Sequence, residues 1–230
     1  MSERAVVVAA SDASILVRFA EAMSEAAHRD VLALLAALSG DPPPGLLDLR
    51  PAYASLLVVF DPLRAGPDAM EEAVRRALTA SSEAPPPRAR HVDLPVLYGG
   101  EMGPDLPEVA EAAGLSPDEA AALHARAGYR VAFLGFAPGF AYLAGLPERL
   151  ATSRLPTPRT RVPAGSVGIA GDQTGVYPLD SPGGWRLIGR TPLSLFDPAR
   201  TPMSLLHPGD RVRFRPVSLS EFERLAAEEA

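Results

Sequence analysis

Hydrophobic patterning changes character along the chain. Ser14–Phe19 (SILVRF) reads as a strand, and Glu21 to Leu38 carries helical spacing with Val31, Leu34, Leu35 and Leu38 on one face. Ser39-Gly40 stops that helix, and the DPPPG turn at Asp41–Gly45 closes the unit. Leu46–Arg50 and Ser55–Phe60 predict two strands, the second a buried apolar run. Pro67 to Ala80 predicts a helix with Met70, Val74 and Leu78 inward, and Glu71 and Glu72 each four residues before Arg75 and Arg76. A linker, SSEAPPPRAR, precedes a further strand at His91–Leu97. The order strand, helix, strand, strand, helix, strand predicts an α+β N-terminal domain over residues 1–98, of the ferredoxin-like split βαβ type.

Residues 99–127 predict a helical bridge: a short helix at Leu106–Ala113, then a second opened by the capping box Ser116–Glu119 with Pro117 at its first position and Gly128 after it. From Gly128 to Val217 the pattern is different. Short apolar runs (Val131–Phe136, Val167–Ala170, Trp185–Ile188, Leu193–Phe196, Val212–Phe214) alternate with turns, and these 90 residues hold 12 Pro and 12 Gly. Regular apolar runs between turn residues predict an all-β sandwich or barrel rather than a disordered segment. Residues 218–230 predict a tail helix carrying Phe222 and Leu225.

Composition narrows the chemistry. The absence of Cys excludes disulfides and thiolate chemistry, and the four dispersed His form no metal-binding pattern, so no metal is expected. All 22 basic residues are Arg, which excludes a P-loop or Schiff-base Lys and leaves Arg, backbone N–H groups or a helix N-terminus to hold an anion. Residues 128–217 carry 11 Arg against 5 acids, a balance of +6; with −6 overall, the remainder carries −12. A basic β-domain fits an anionic small molecule or an acidic partner surface, and the acidic whole argues against nucleic acid. No run approaches the ~18 apolar residues of a membrane span, and the opening apolar run is too short for a signal peptide, so a cytoplasmic location is expected.

Several residues are candidates for a ligand site. Phe136, Phe140 and Tyr142 either wall a pocket beside the Gly-rich turn GFAPGF or fill a core. Arg159 and Arg161 alternate in a Pro-stiffened extended segment, which suits paired guanidinium contacts to a carboxylate or phosphate, or else protects an edge strand. Ser166 in AGSVG resembles a nucleophile elbow but lacks the strand–turn–helix setting, so a hydrogen-bonding role is the better reading. Gly183 and Gly184 offer an anion-binding nest, or a turn that lets Trp185 plug a barrel; Gln173 sits in a polar turn of the same region. His124 reads as structural. No catalytic acid–base pair stands out, which points to a binding or shared-site role.

The motifs GFAPGFAYLAGL, PRTRVPAGSVGIAGDQTGVYP, SPGGWRLIGRTP and HPGDRVRF, with DASILVRF and LPVLYGGEMGPDLPEVAEAAGLS upstream, resemble the 5-oxoprolinase B-subunit (PxpB) family. That family is also labelled allophanate hydrolase subunit 1, or KipI after a kinase inhibitor. Ala141, where a Pro or bulkier residue is more usual, is the main departure. The resemblance implies a cyclophilin-like C-terminal barrel, a KipA-like protein as direct heteromeric partner, and a LamB/YcsF-like protein as the third component. It also implies ring opening of 5-oxoproline to glutamate with ATP hydrolysis by the assembled complex. The alternatives it carries are inhibition of a sensor histidine kinase and a part in urea or allophanate breakdown.

Overall fold

A computed structural model of the chain describes residues 5–22, 24–83 and 89–229. It divides into two compact units, residues 1–88 and 89–230.

In the first unit, β1 (Val6–Ser11), β2 (Ser14–Arg18), α1 (Glu25–Gly40), β3 (Leu46–Pro51), β4 (Ser55–Phe60) and α2 (Pro67–Glu83) follow one another. The sheet order is β1-β2-β4-β3, and every pairing is antiparallel. Strand alternation turns Ile15, Val17, Leu56, Val58 and Phe60 toward Val31, Leu34 and Leu38 of α1 and Met70 and Val74 of α2, and these form one core. Ser24 caps α1 by accepting from the Ala27 amide at 3.1 Å. The unit β2-α1-β3 encloses β4 between its strands as a split βαβ does, but the second half of the expected arrangement does not form. The strand expected to complete it, at His91, lies in the other unit, and β1 takes the free edge beside β2. Residues 84–88 of the predicted Pro-rich linker lie outside the described residues.

The second unit is built on a closed seven-stranded barrel. Its strands are β5 (His91–Tyr98), β6 (Tyr129–Leu134), β7 (Ala141–Ala144), β9 (Ser166–Ala170), β10 (Gln173–Val176), β12 (Arg186–Arg190) and β13 (Arg211–Pro216), in the order β10-β7-β6-β13-β5-β12-β9. A two-stranded ribbon of β8 (Arg159–Val162) and β11 (Ser181–Gly183) stands apart from it. β5 and β13 run parallel, with Asp93 and Arg213 paired in register and ion-paired at 2.8 Å. Helices α3 (Leu106–Ala112) and α4 (Pro117–Arg126), read from the sequence as a bridge, send Leu106, Val109, Ala110 and Ala120 into the same core as Val96, Leu143, Ile169 and Phe214. The Ser116–Glu119 capping box forms as expected, and α5 (Leu219–Glu229) follows β13. Among the described residues no helix is long and apolar enough to cross a membrane.

His124 is completely buried in this core. Thr174 Oγ1 donates to the Gly168 carbonyl at 2.8 Å, so it accepts from His124 Nε2–H at 3.1 Å, which leaves Nδ1 to accept from the Tyr98 hydroxyl at 2.8 Å. Every polar atom of the ring is thereby satisfied with the imidazole neutral, and burial pushes its pKa down to about 3. An unfolded His titrates near 6.5, so between those values the unfolded chain binds the additional proton. Folding stability therefore falls as pH drops from about 6.5 toward 3, with a slope from this group approaching about 1.4 kcal/mol per pH unit. Urea unfolding between pH 7 and 4.5 should show that slope, and a His124→Gln variant, less stable at pH 7, should lack it.

Candidate functional site

Four barrel strands are covered on both faces. Leu143 of β7, Val167 and Ile169 of β9, Val176 of β10 and Ile188 of β12 point into the barrel core. Their alternating neighbours point outward, where Tyr142, Ala170 and Leu187 join Phe140, Val162, Tyr177 and Trp185 in a second, smaller core. The rings meet edge to face: Phe140 lies 5.3 Å from Tyr177 and 5.4 Å from Trp185, and Tyr142 lies 5.9 Å from Trp185.

Glycines make this packing possible. A Cβ at Gly175 would come within 3.1 Å of Phe140 and 3.2 Å of Trp185, and one at Gly183 would fall 2.4 Å from the Tyr177 hydroxyl. The turn Gly135–Gly139 then carries Phe136 to the rim, 63% exposed, with its ring 5.4 Å from Phe140 and 6.3 Å from Tyr177. Phe136, Phe140, Tyr142 and Trp185 thus come together, on the barrel's outer wall. Trp185 does not plug the barrel.

The polar candidates separate. Arg159 Nη2 donates to Asp105 Oδ1 at 2.7 Å, and the other oxygen of this buried carboxylate accepts the Leu187 amide at 2.6 Å. Among the described residues, Arg159 Nη1 is buried without a hydrogen-bond partner, as is Ser181 Oγ on the paired strand. Arg161, which is exposed, instead pairs with Asp180 at 2.6 Å, and that carboxylate also accepts the Ala164 amide. Ser166 is buried at the start of β9 with its carbonyl accepting from the Tyr177 amide, and no His–acid pair adjoins it among the bonds it makes. Gln173 shares the outward side of β10 with Gly175. Gly184 packs beside Pro158.

Three contributors escaped the sequence reading. Tyr177 sits at the centre of the aromatic cluster, Arg154 lies over the Trp185 ring at 6.0 Å, and Asp105 anchors Arg159. Burial pushes the Tyr177 phenol upward, against the Trp185 amide and the charges of Arg154 and Arg159, so it stays protonated near neutrality. An aromatic wall flanked by two guanidinium groups suits a small anion with an apolar body. Among the described residues no group of three or more His, Cys, Asp or Glu is placed to hold a metal.

Residues 5–206 match the family model for the carboxyltransferase domain, subdomain C and D. The chain is 43% identical over 221 residues to the B subunit of 5-oxoprolinase from Bacillus subtilis (strain 168), covering 92% of each. It is 51% identical over 174 residues to the protein of that name from Escherichia coli O157:H7, covering 75% of this chain and 79% of that one. Among solved structures, TTHA0988 superposes with a TM-score of 0.79 at 47% identity, over 89% of this chain and 40% of the larger protein. A fold of subdomain C and D type, and identity sustained over nearly the whole length, have one consequence: the chain belongs to the 5-oxoprolinase B-subunit family.

Proposed function

We propose that this chain is the B subunit of a multi-component, ATP-dependent 5-oxoprolinase, and that it supplies part of a site, shared with a KipA-like protein, that binds 5-oxoproline for ring opening to glutamate. The observation that carries the reading is the aromatic cluster with Arg154 and Arg159 at its flank. A five-membered lactam bearing a carboxylate matches it: ring methylenes against aromatic faces, the carboxylate against a guanidinium. Ring opening adds water across the lactam C–N bond, and ATP hydrolysis by the assembled complex drives it. This chain has no Lys, so any phosphate contact it makes falls to Arg or backbone N–H groups.

The acids near the cluster are already engaged, Asp105 by Arg159 and Leu187 and Asp180 by Arg161 and Ala164. His124 is sealed in the barrel core. This favours a component that binds and orients substrate while the KipA-like protein and a LamB/YcsF-like protein complete the catalytic set. ADP release by the three proteins together should depend on 5-oxoproline and stop when this chain is omitted. Release that persists without it would remove the reading.

Phe136 supports the same assignment. Its φ of 68° is left-handed backbone that a bulky residue adopts only under strain, of order 1 kcal/mol or more. An exposed aromatic held at that cost fits a ligand contact better than a packing role. Phe136→Gly relieves the strain and Phe136→Ala does not, so the Gly variant should be the more stable of the two by roughly 1 kcal/mol. Both should raise the KM for 5-oxoproline several-fold in the assembled complex, as thermal melts and steady-state kinetics would show.

A further inference from the structure

We propose that Arg159 Nη1 and the Tyr177 hydroxyl form a two-donor clamp for the carboxylate of a small cyclic ligand, with Asp105 as its positioning residue and Arg161 outside it. The identity of the ligand as 5-oxoproline rests on the function proposed above; the clamp itself rests on the geometry.

Arg159 pairs with Gly183 across the β8–β11 ribbon, and paired residues share a face of a ribbon. Gly183 is the residue whose missing side chain accommodates the Tyr177 hydroxyl, so Arg159 leaves the ribbon on the side where Tyr177 packs. The Arg159 charge acts on the Tyr177 phenol from there. Asp105 fixes the guanidinium by one nitrogen only, and Asp105 is itself fixed by the Leu187 amide, while its own backbone N–H donates to the Leu187 carbonyl at 2.9 Å. The fork is therefore oriented with Nη1 left over, buried and unpartnered among the described residues. A buried guanidinium N–H without an acceptor is an arrangement that folding alone disfavours and a bound carboxylate would satisfy.

Tyr177 completes the pair. Its oxygen receives the Trp185 amide, and burial holds the phenol protonated, so it carries a proton to donate. The Phe136 ring, 63% exposed, lies at the edge of the cluster 6.3 Å from Tyr177. Arg161 lacks these features: both of its bonded nitrogens go to Asp180 on the exposed side.

Trp185 is the only Trp in the chain and lies 6.5 Å from Tyr177, so its emission reports on the clamp in the full chain. Three probes separate the possibilities: 5-oxoproline, 2-pyrrolidinone (the same lactam without the carboxylate) and cyclopentanecarboxylate. The clamp predicts that 5-oxoproline binds at least about tenfold more tightly than 2-pyrrolidinone. Arg159→Lys, which keeps a cation beside Asp105 but removes the fork, and Tyr177→Phe should each reduce 5-oxoproline to the affinity of 2-pyrrolidinone and leave 2-pyrrolidinone unchanged. Arg161→Ala should leave all affinities within about twofold. In the assembled complex, Asp105→Asn should raise the KM for 5-oxoproline with little change in kcat, a split that general loosening of the fold would not produce. Equal weakening of both lactams by Arg159→Lys overturns the clamp, as does saturable binding of none of the three probes. Binding of cyclopentanecarboxylate that depends on Arg159 while 5-oxoproline fails to bind supports the clamp and removes the 5-oxoproline reading.

Discussion

The second unit depends on a constraint set by one stretch of barrel wall. Strands β7, β9, β10 and β12 are buried on both faces, inward against the helices α3 and α4 and outward against the aromatic cluster. Where a ring packs against such a wall, the outward positions beneath it must be small. Gly168 and Gly175 meet that demand, an added Cβ coming within 3.0 Å of Trp185 at the first and 3.1 Å of Phe140 at the second, and Gly183 of the separate ribbon makes the same room for Tyr177. Glycines in strand interiors weaken a sheet by themselves. Here they are what allow Phe136, Phe140, Tyr142, Tyr177 and Trp185 to converge on one side of the barrel.

Two buried polar constellations of this unit, around His124 and around Arg159, differ in how completely they are satisfied. His124 is closed: donor and acceptor are matched around the ring, Tyr129 donates to its carbonyl at 2.9 Å, and Phe214 packs 4.5 Å away. Such a network specifies one core arrangement and leaves nothing for a ligand. Arg159 is open. Its carboxylate partner uses one nitrogen and is itself held by the main chain of β12, so the remaining donor is positioned without being used.

Much of the fold was legible in the sequence because it is locally encoded. The helices carried their apolar spacing and caps, and the Ser116 capping box needed only four residues to be recognised. Sheet membership is non-local, and there the reading failed. His91–Tyr98 has the pattern of a strand, but nothing in HVDLPVLY states that its partners are β13 and β12 rather than β2. β1 was missed for a related reason: as an edge strand it is mostly exposed, so its residues lack the alternation that burial imposes. The helices at 106–126 read as a connector because their second apolar face, which fills the barrel core, is invisible until the barrel is built.

The residues of the candidate site stand out in the sequence, but their geometry does not. Phe136, Phe140, Tyr142 and Trp185 stand out beside Gly-rich turns, a setting that fits a pocket wall and a core equally, and Phe140 and Trp185 are packed in a core. Their placement outside the barrel follows from register, in which an alternation of one residue sends Leu143 inward and Tyr142 outward. The alternation of Arg159 and Arg161 suggested one shared face, yet each guanidinium met its own carboxylate, from Asp105 in one case and Asp180 in the other. Neither acid stands out in the sequence, because Asp fills backbone roles in turns so often that any second role is hidden. Charge pairing is thus the step that sorts the two Arg residues, and it acts over a sequence separation of 54 residues that no local pattern reaches. With Asp105 and Asp180 engaged in holding guanidinium groups, the acids beside this wall serve to position Arg side chains.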